Sequence, residues 1–180
     1  TQHSVIEISG GELISTADYA VYLPQSGKTV ISGGAINGAA GGISIQRGEL
    51  VISGDASILS DGTGYTGDWS DGTGNLPNAS LIVAAEYGTC SVTIEGGSFS
   101  AKGDAIALEN SANPENVNIT VTGGTFSDLS ALSYLGENAD VDVVLDKDIS
   151  LDQTLSLDKA GCNVTIDLNK NTLDYTSADN

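Results

Sequence analysis

Apolar and polar residues alternate in short bursts along this chain, and most bursts end in a glycine bend. In Val117-Asn-Ile-Thr-Val-Thr-Gly-Gly-Thr-Phe126, residues Val117, Ile119 and Val121 fall on one face of a strand. Gly123 and Gly124 interrupt it, and Phe126 opens a second short strand. The unit recurs as Val92-Thr-Ile-Glu-Gly-Gly-Ser-Phe99, as Val30-Ile-Ser-Gly-Gly-Ala-Ile36 and as Val5-Ile-Glu-Ile-Ser-Gly-Gly-Glu-Leu13, with a weaker copy over Leu50-Val-Ile-Ser-Gly-Asp55.

Alignment on the apolar residue before the bend selects Ile8, Ile31, Ile52, Ile94, Val121, Leu145 and Leu168. The steps are 21 to 27 residues, apart from one of 42 that carries an insertion. Periods of this size point to a solenoid. Three residues after each anchor stand Gly11, Gly34, Asp55, Gly97, Gly124, Asp148 and Asn171, all of a kind that enters the left-handed backbone region at low cost. A recurring bend with positive φ is expected at most of them. Later apolar pairs with one residue between them (Val21/Leu23, Ile43/Ile45, Leu81/Val83, Ile106/Leu108, Leu132/Tyr134, Leu155/Leu157) supply a third strand. No stretch sustains helical periodicity beyond one short turn at 127–134.

Three short strands per coil describe an all-β, right-handed parallel β-helix of about seven coils. It forms a single domain over residues 1–180 with an inserted loop at 60–78. A leucine-rich repeat would need its own leucine and asparagine signature. A β-sandwich would not hold the bend in register.

The last third reads Val141-Asp-Val-Val-Leu-Asp-Lys-Asp-Ile149 and then Asn163-Val-Thr-Ile-Asp-Leu-Asn-Lys-Asn-Thr-Leu173. This resembles a segment of the pectate-lyase-like β-helix repeats found in large surface proteins of Gram-positive gut bacteria. Lys170 stands where that pattern usually has glycine. The resemblance covers about 35 residues directly. It implies an extracellular or cell-surface, adhesin-like protein flanked by further domains of the same polypeptide.

Charge narrows the partners. The chain has 24 Asp and Glu against six Lys and Arg, a net of −18. Phosphate backbones require clustered cations, so nucleic acid is excluded as an expected partner. The apolar runs are far short of a membrane span, so membrane insertion is not expected either. There is no methionine, and a processed chain or a fragment that continues past Asn180 is the expectation. Cys90 and Cys162 are too few for a disulfide framework. Their places three coils apart predict two reduced thiols.

The insertion repeats Ser-Asp-Gly-Thr-Gly at 60–64 and 70–74 and holds the only tryptophan, Trp69. It reads in two ways. Tyr65 and Trp69 could stack on a glycan or meet a host or cell-surface protein while Asp61, Asp68 and Asp71 contact hydroxyls or Ca²⁺. Alternatively Trp69 folds back on the coil flank. The aspartate spacing is not that of an EF-hand, and no cofactor is expected. A second candidate surface is the outward row of the third strand: Tyr22, Ser44, Ile82, Ala107 and Ser156, with Tyr134 joining by a one-residue slip.

The expected fold class hosts pectin-degrading enzymes, whose residues can be compared with those present. The single arginine, Arg47, has no aspartate pair in adjacent coils around it, and no Gly-His-Gly or Arg-x-Lys motif is present. The sequence therefore reads as a non-enzymatic scaffold, with a carbohydrate-binding module as the rival and a degenerate polysaccharide lyase or hydrolase behind both.

Overall fold

The computed structural model describes residues 4–62, 78–109 and 112–175. Fourteen strands appear among them: β1 (Val5–Ser15), β2 (Tyr19–Leu23), β3 (Lys28–Gly38), β4 (Gly41–Ile45), β5 (Gly48–Ile52), β6 (Ser57–Ser60), β7 (Ala79–Val83), β8 (Cys90–Ala101), β9 (Asp104–Leu108), β10 (Val117–Phe126), β11 (Leu135–Val144), β12 (Ile149–Leu151), β13 (Asn163–Asp167) and β14 (Leu173–Tyr175). The protein is all-β, with short 3₁₀ turns at Pro114–Asn116 and Ser130–Tyr134. No helix among the described residues is long and apolar enough to cross a membrane.

The sheets are parallel. The largest runs β1-β3-β5-β8-β10-β11-β13, with β6 bridging β3 and β8, and a four-stranded sheet runs β2-β4-β7-β9. A third pairs β12 with β14. β1, β3, β8 and β10 each carry a bend within one strand, seen as a register shift beside the glycines.

Register decides which side chains share a column. Before the bend, Ile8 pairs with Ile31, Ile31 with Ile52, Ile52 with Ile94 and Ile94 with Val121. After the bend, Leu13, Ile36, Ile58, Phe99, Phe126, Val143 and Ile166 follow one another. In the four-stranded sheet Val21, Ile43, Leu81 and Ile106 form one row and Leu23, Ile45, Val83 and Leu108 another. Away from the ends these residues join one continuous core, each large aliphatic side chain contributing about 1.5–3 kcal/mol on burial. The Phe99 and Phe126 rings stack with centroids 4.9 Å apart and planes 12° apart, which is the spacing of neighbouring strands carried into the side chains.

The bend column is left-handed at Gly11, Gly34, Gly97 and Gly124, as its composition predicts. It is not so at Asp55, Asp148 or Asn171. In the third repeat Gly54, one residue earlier, takes the positive φ of 63°, because a glycine is available there. Near the C-terminus the left-handed residues are Asn138, Gly161, Asn169 and Lys170. Asp148 and Asn171 instead use their side chains. Asp148 Oδ1 accepts from the Thr172 amide at 2.6 Å, and Asn171 Nδ2 donates to the Leu145 carbonyl at 2.7 Å.

The anchor column also departs from expectation after Val121. Its partner is Leu135, not Leu145, while Phe126 pairs with Val143 and Val143 with Ile166. Leu145 and Leu168 therefore follow the post-bend arm, with Leu145 buried and Leu168 exposed. The cause is the 3₁₀ turn at Ser130–Tyr134, which replaces a third strand and shortens that repeat. It also terminates the four-stranded sheet. Asp128 Oδ2 accepts from the Ala105 amide at 2.6 Å and Ser130 Oγ from the Ile106 amide at 2.9 Å, so side chains satisfy the last strand, β9. Leu155 and Leu157 lie outside any strand, and Leu157 is exposed.

Among the described residues, inward-type side chains are exposed at both ends, and Leu108, on the edge strand of the four-stranded sheet, is exposed as well. Val5, Ile6, Leu13 and Ile14 are exposed at the N-terminal side, and Leu168 and Tyr175 at the other. Cys90 is buried and Cys162 half-buried, both as free thiols; Cys162 Sγ lies 3.1 Å from the Gly136 carbonyl.

Two outcomes follow. Gly124→Val should lower the unfolding free energy in chemical denaturation by more than about 1 kcal/mol, because a β-branched residue is strained at positive φ. There φ is 119° and an added Cβ would lie 3.1 Å from the Gly97 oxygen. With a thiol reagent, the native protein should label at Cys162 and not at Cys90, whose thiol burial holds above its usual pKa; in denaturant without reductant both should label.

Candidate functional site

The outward side of the four-stranded sheet carries the predicted row. Tyr22 pairs with Ser44, Ser44 with Ile82 and Ile82 with Ala107. It is not an open groove. Ser44 and Ile82 have no exposed surface and Ala107 is buried. Tyr19 explains part of this: it packs with Ala79, Ile82 and Ala107 in a second, smaller apolar cluster. Its ring occupies space that a side chain at Gly41 would need, since a Cβ there would lie 2.8 Å from Tyr19 Cδ1 and 3.0 Å from Ile82 Cδ1.

Only the β2 end of the row reaches solvent. Tyr22 is exposed and shares a side-chain hydrogen bond with Tyr87, also exposed. Tyr134 does not join Tyr22: β4, β7 and β9 stand between β2 and the 3₁₀ turn that carries it. Ser156 is exposed outside any strand. Gln46 Nε2 donates to Ser44 Oγ at 3.0 Å, while its buried Oε1 has no partner. Beside Tyr22 a crevice of about 260 Å³ is lined in part by Gln25, Lys28, Arg47 and Glu49. Lys28 Nζ and Glu49 Oε1 form an ion pair across it at 2.6 Å.

Electrostatics mark the same corner. Tyr22 is pushed up to about 12, first by burial, then by its bond to Tyr87 and by the negative charges of Glu86 and Glu109. Tyr19 is raised as well, by burial first and then by Glu109 and Asp18. Tyrosines in this state donate hydrogen bonds across the whole physiological range and present rings, which suits hydroxyl-rich ligands.

A second polar cluster lies where successive repeats turn after the post-bend arm. Asp104, Asp128 and Asp146 come from three successive repeats, with Lys147 and Tyr134 beside them. Burial raises Asp104 and the Asp128 charge raises it further, while Lys147 opposes; Asp146 is raised for the same principal reason. Lys147 Nζ donates to the Gly103 carbonyl. Asp128, buried at 3 % exposure, is committed to two main-chain amides, Ala105 and Ser130. Both its oxygens thus help hold the fold together.

Of the insertion candidates, Asp61 is exposed just after β6, while Tyr65, Asp68, Trp69 and Asp71 lie outside the described residues. Among the described residues no group of three or more His, Cys, Asp or Glu is arranged to hold a metal ion. Sequence reasoning missed Tyr19, Tyr87 and the three-aspartate turn. Tyr87 lies beyond β7 in no repeating position. The aspartates line up only once Val143 is placed against Phe126. Comparison with protein-family models, with curated proteins and with solved structures returns no match.

The tyrosine corner predicts an alkaline transition. A tyrosine with a raised folded-state pKa contributes stability that is fully present below its unfolded value of about 10 and lost as pH rises through the folded value. For Tyr22 that window runs up to about 12. The urea midpoint should therefore fall across this window, and the fall should be smaller in Tyr22→Phe and in Tyr19→Phe. An equal fall in all three proteins would contradict the assignment.

Proposed function

We propose that this chain is a right-handed parallel β-helix acting as a non-catalytic surface scaffold, an extracellular, adhesin-like segment of a larger protein. The observation that carries the reading is the register. Parallel strands more than twenty residues apart pair column by column along most of the chain, and their inward residues form one continuous core. Charge agrees with it: a net of −18 keeps such a rod soluble and resistant to non-specific association. The likeness of 141–173 to surface-protein repeats supports the location.

A second reading, a carbohydrate-binding module, is favoured by the exposed Tyr22–Tyr87 pair beside the polar crevice. On this reading the aromatic insertion at Tyr65 and Trp69 adds stacking faces. A residual lyase or hydrolase would draw on Asp104, Asp146 and Lys147, but Asp128 between them is consumed by main-chain amides.

A glycan array separates these. The scaffold reading expects no binding above background and no cleavage of pectin-like polymers. Binding abolished by Tyr22→Ala or Trp69→Ala would establish the module instead, and turnover lost in Lys147→Ala would establish the enzyme.

A further inference from the structure

The two exposed tyrosines meet over a polar group that the fold leaves unsatisfied. Tyr22 lies on β2 and Tyr87 beyond β7, and β4 runs between those strands. The Tyr87 amide donates to the Gln46 carbonyl at 3.2 Å, which sets Tyr87 beside the end of β4. Its side-chain hydrogen bond to Tyr22 therefore passes over that end. Ile43 and Ile45 point into the core, so Ser44 and Gln46 alternate outward, beneath the tyrosine pair. Both are buried all the same, Gln46 at 6 % exposure.

Gln46 is the group at issue. Its Nε2 donates to Ser44 Oγ at 3.0 Å, yet its buried Oε1 has no partner. Burying a carboxamide oxygen without a donor is costly, and a native group left so calls for a reason. The same outward row continues through Ala84, whose amide donates to the Ile45 carbonyl, to Glu109, whose amide donates to the Val83 carbonyl. Glu109 is a buried carboxylate, and Ala84 puts only a methyl between it and Gln46 in this row. Glu86, exposed, adds a second negative charge near Tyr22.

Such a corner calls for a positively charged donor. An anion would meet two carboxylates. A metal ion would need several oxygens at once, and among the described residues no group of three or more His, Cys, Asp or Glu is arranged to hold one. A neutral hydroxyl could reach Oε1 but would gain nothing from the charges. A primary ammonium brings three donors and a charge, and the faces of aromatic rings attract it. The chain's neighbouring cations are placed elsewhere. Lys28 Nζ is paired with Glu49 Oε1 at 2.6 Å, and Arg47 lies against Gly88, where a Cβ would sit 3.2 Å from its Nε.

We propose that Tyr22, Tyr87, Gln46 and Glu109 form a binding site for a primary ammonium group, which donates to Gln46 Oε1, is balanced by Glu109 and Glu86 and lies against the tyrosine rings. Tyr22 and Tyr87 are 48 % and 51 % exposed, so their side chains can turn aside to admit it without disturbing the ladder. An amino sugar or a lysine side chain can carry the ammonium, and the chemistry recognised is the same. The inference goes beyond the scaffold reading, which it leaves intact, and does not need the carbohydrate one.

The test is calorimetric titration of the whole protein with glucosamine, with Nα-acetyl-lysine amide and, as the neutral control, with glucose. Expected is saturable binding of at least one amine, at least about tenfold tighter than that of glucose and weakened by added salt. Tighter binding of glucosamine would identify a sugar as the carrier, and tighter binding of the lysine derivative a peptide; either supports the proposal. Gln46→Met removes the unpaired oxygen at nearly constant length and should weaken amine binding at least about tenfold. Glu86→Gln, at an exposed position where folding is not at stake, should weaken it at least about twofold. Glucose bound as tightly as glucosamine would overturn the ammonium site while leaving the carbohydrate reading standing. Failure of both amines to bind would overturn it, as would full affinity in either variant.

Discussion

Parallel main-chain pairing between repeats, at about 4.8 Å per layer, is the constraint from which the other features follow. It sets the Phe99–Phe126 ring separation of 4.9 Å. It also crowds side chains out where two bends nest, which accounts for glycine at 33, 54 and 123. Ladder hydrogen bonds add little individually, about 0.5–1.5 kcal/mol net each. Their geometric effect is larger, because they force like residues into columns, and apolar columns make the core.

Where the ladder cannot continue, side chains take over its work. Asp128 and Ser130 satisfy amides of β9 in place of a fifth strand. Asp148, Asn169 and Asn171 do the same between the last layers, reaching the Thr172 amide and the Leu145 carbonyl. These substitutions explain how so acidic a chain uses some of its carboxylates and amides. They also bear on function, since a carboxylate bound to two amides is fixed rather than available to a substrate.

Much of this arrangement could be read from residue spacing. The Gly-Gly pairs and the alternation around them define β1, β3, β8 and β10, and the later apolar pairs define β2, β4, β7 and β9, because periodicity and bend chemistry are local properties. The slip after Val121 could not be read so. Leu145 sits at a plausible distance in sequence, and only the 3₁₀ turn at Ser130–Tyr134, a tertiary choice, moves the partner to Leu135. The candidate surface fared similarly. Tyr22 was legible as outward and exposed, but the burial of Ser44 and Ile82 depends on packing outside their own strands, Tyr19 included, which alternation cannot reveal.

The end of the four-stranded sheet at β9 has a mechanical meaning. Up to that point two parallel ladders are present, so shear applied along the stacked strands is shared between them. Beyond Tyr134 the large sheet continues without that neighbour, joined by the two short strands β12 and β14. A pull on the C-terminal side would therefore peel 135–175 away layer by layer before the doubly laddered part yields. Tension applied there would be absorbed first where a single long ladder carries it.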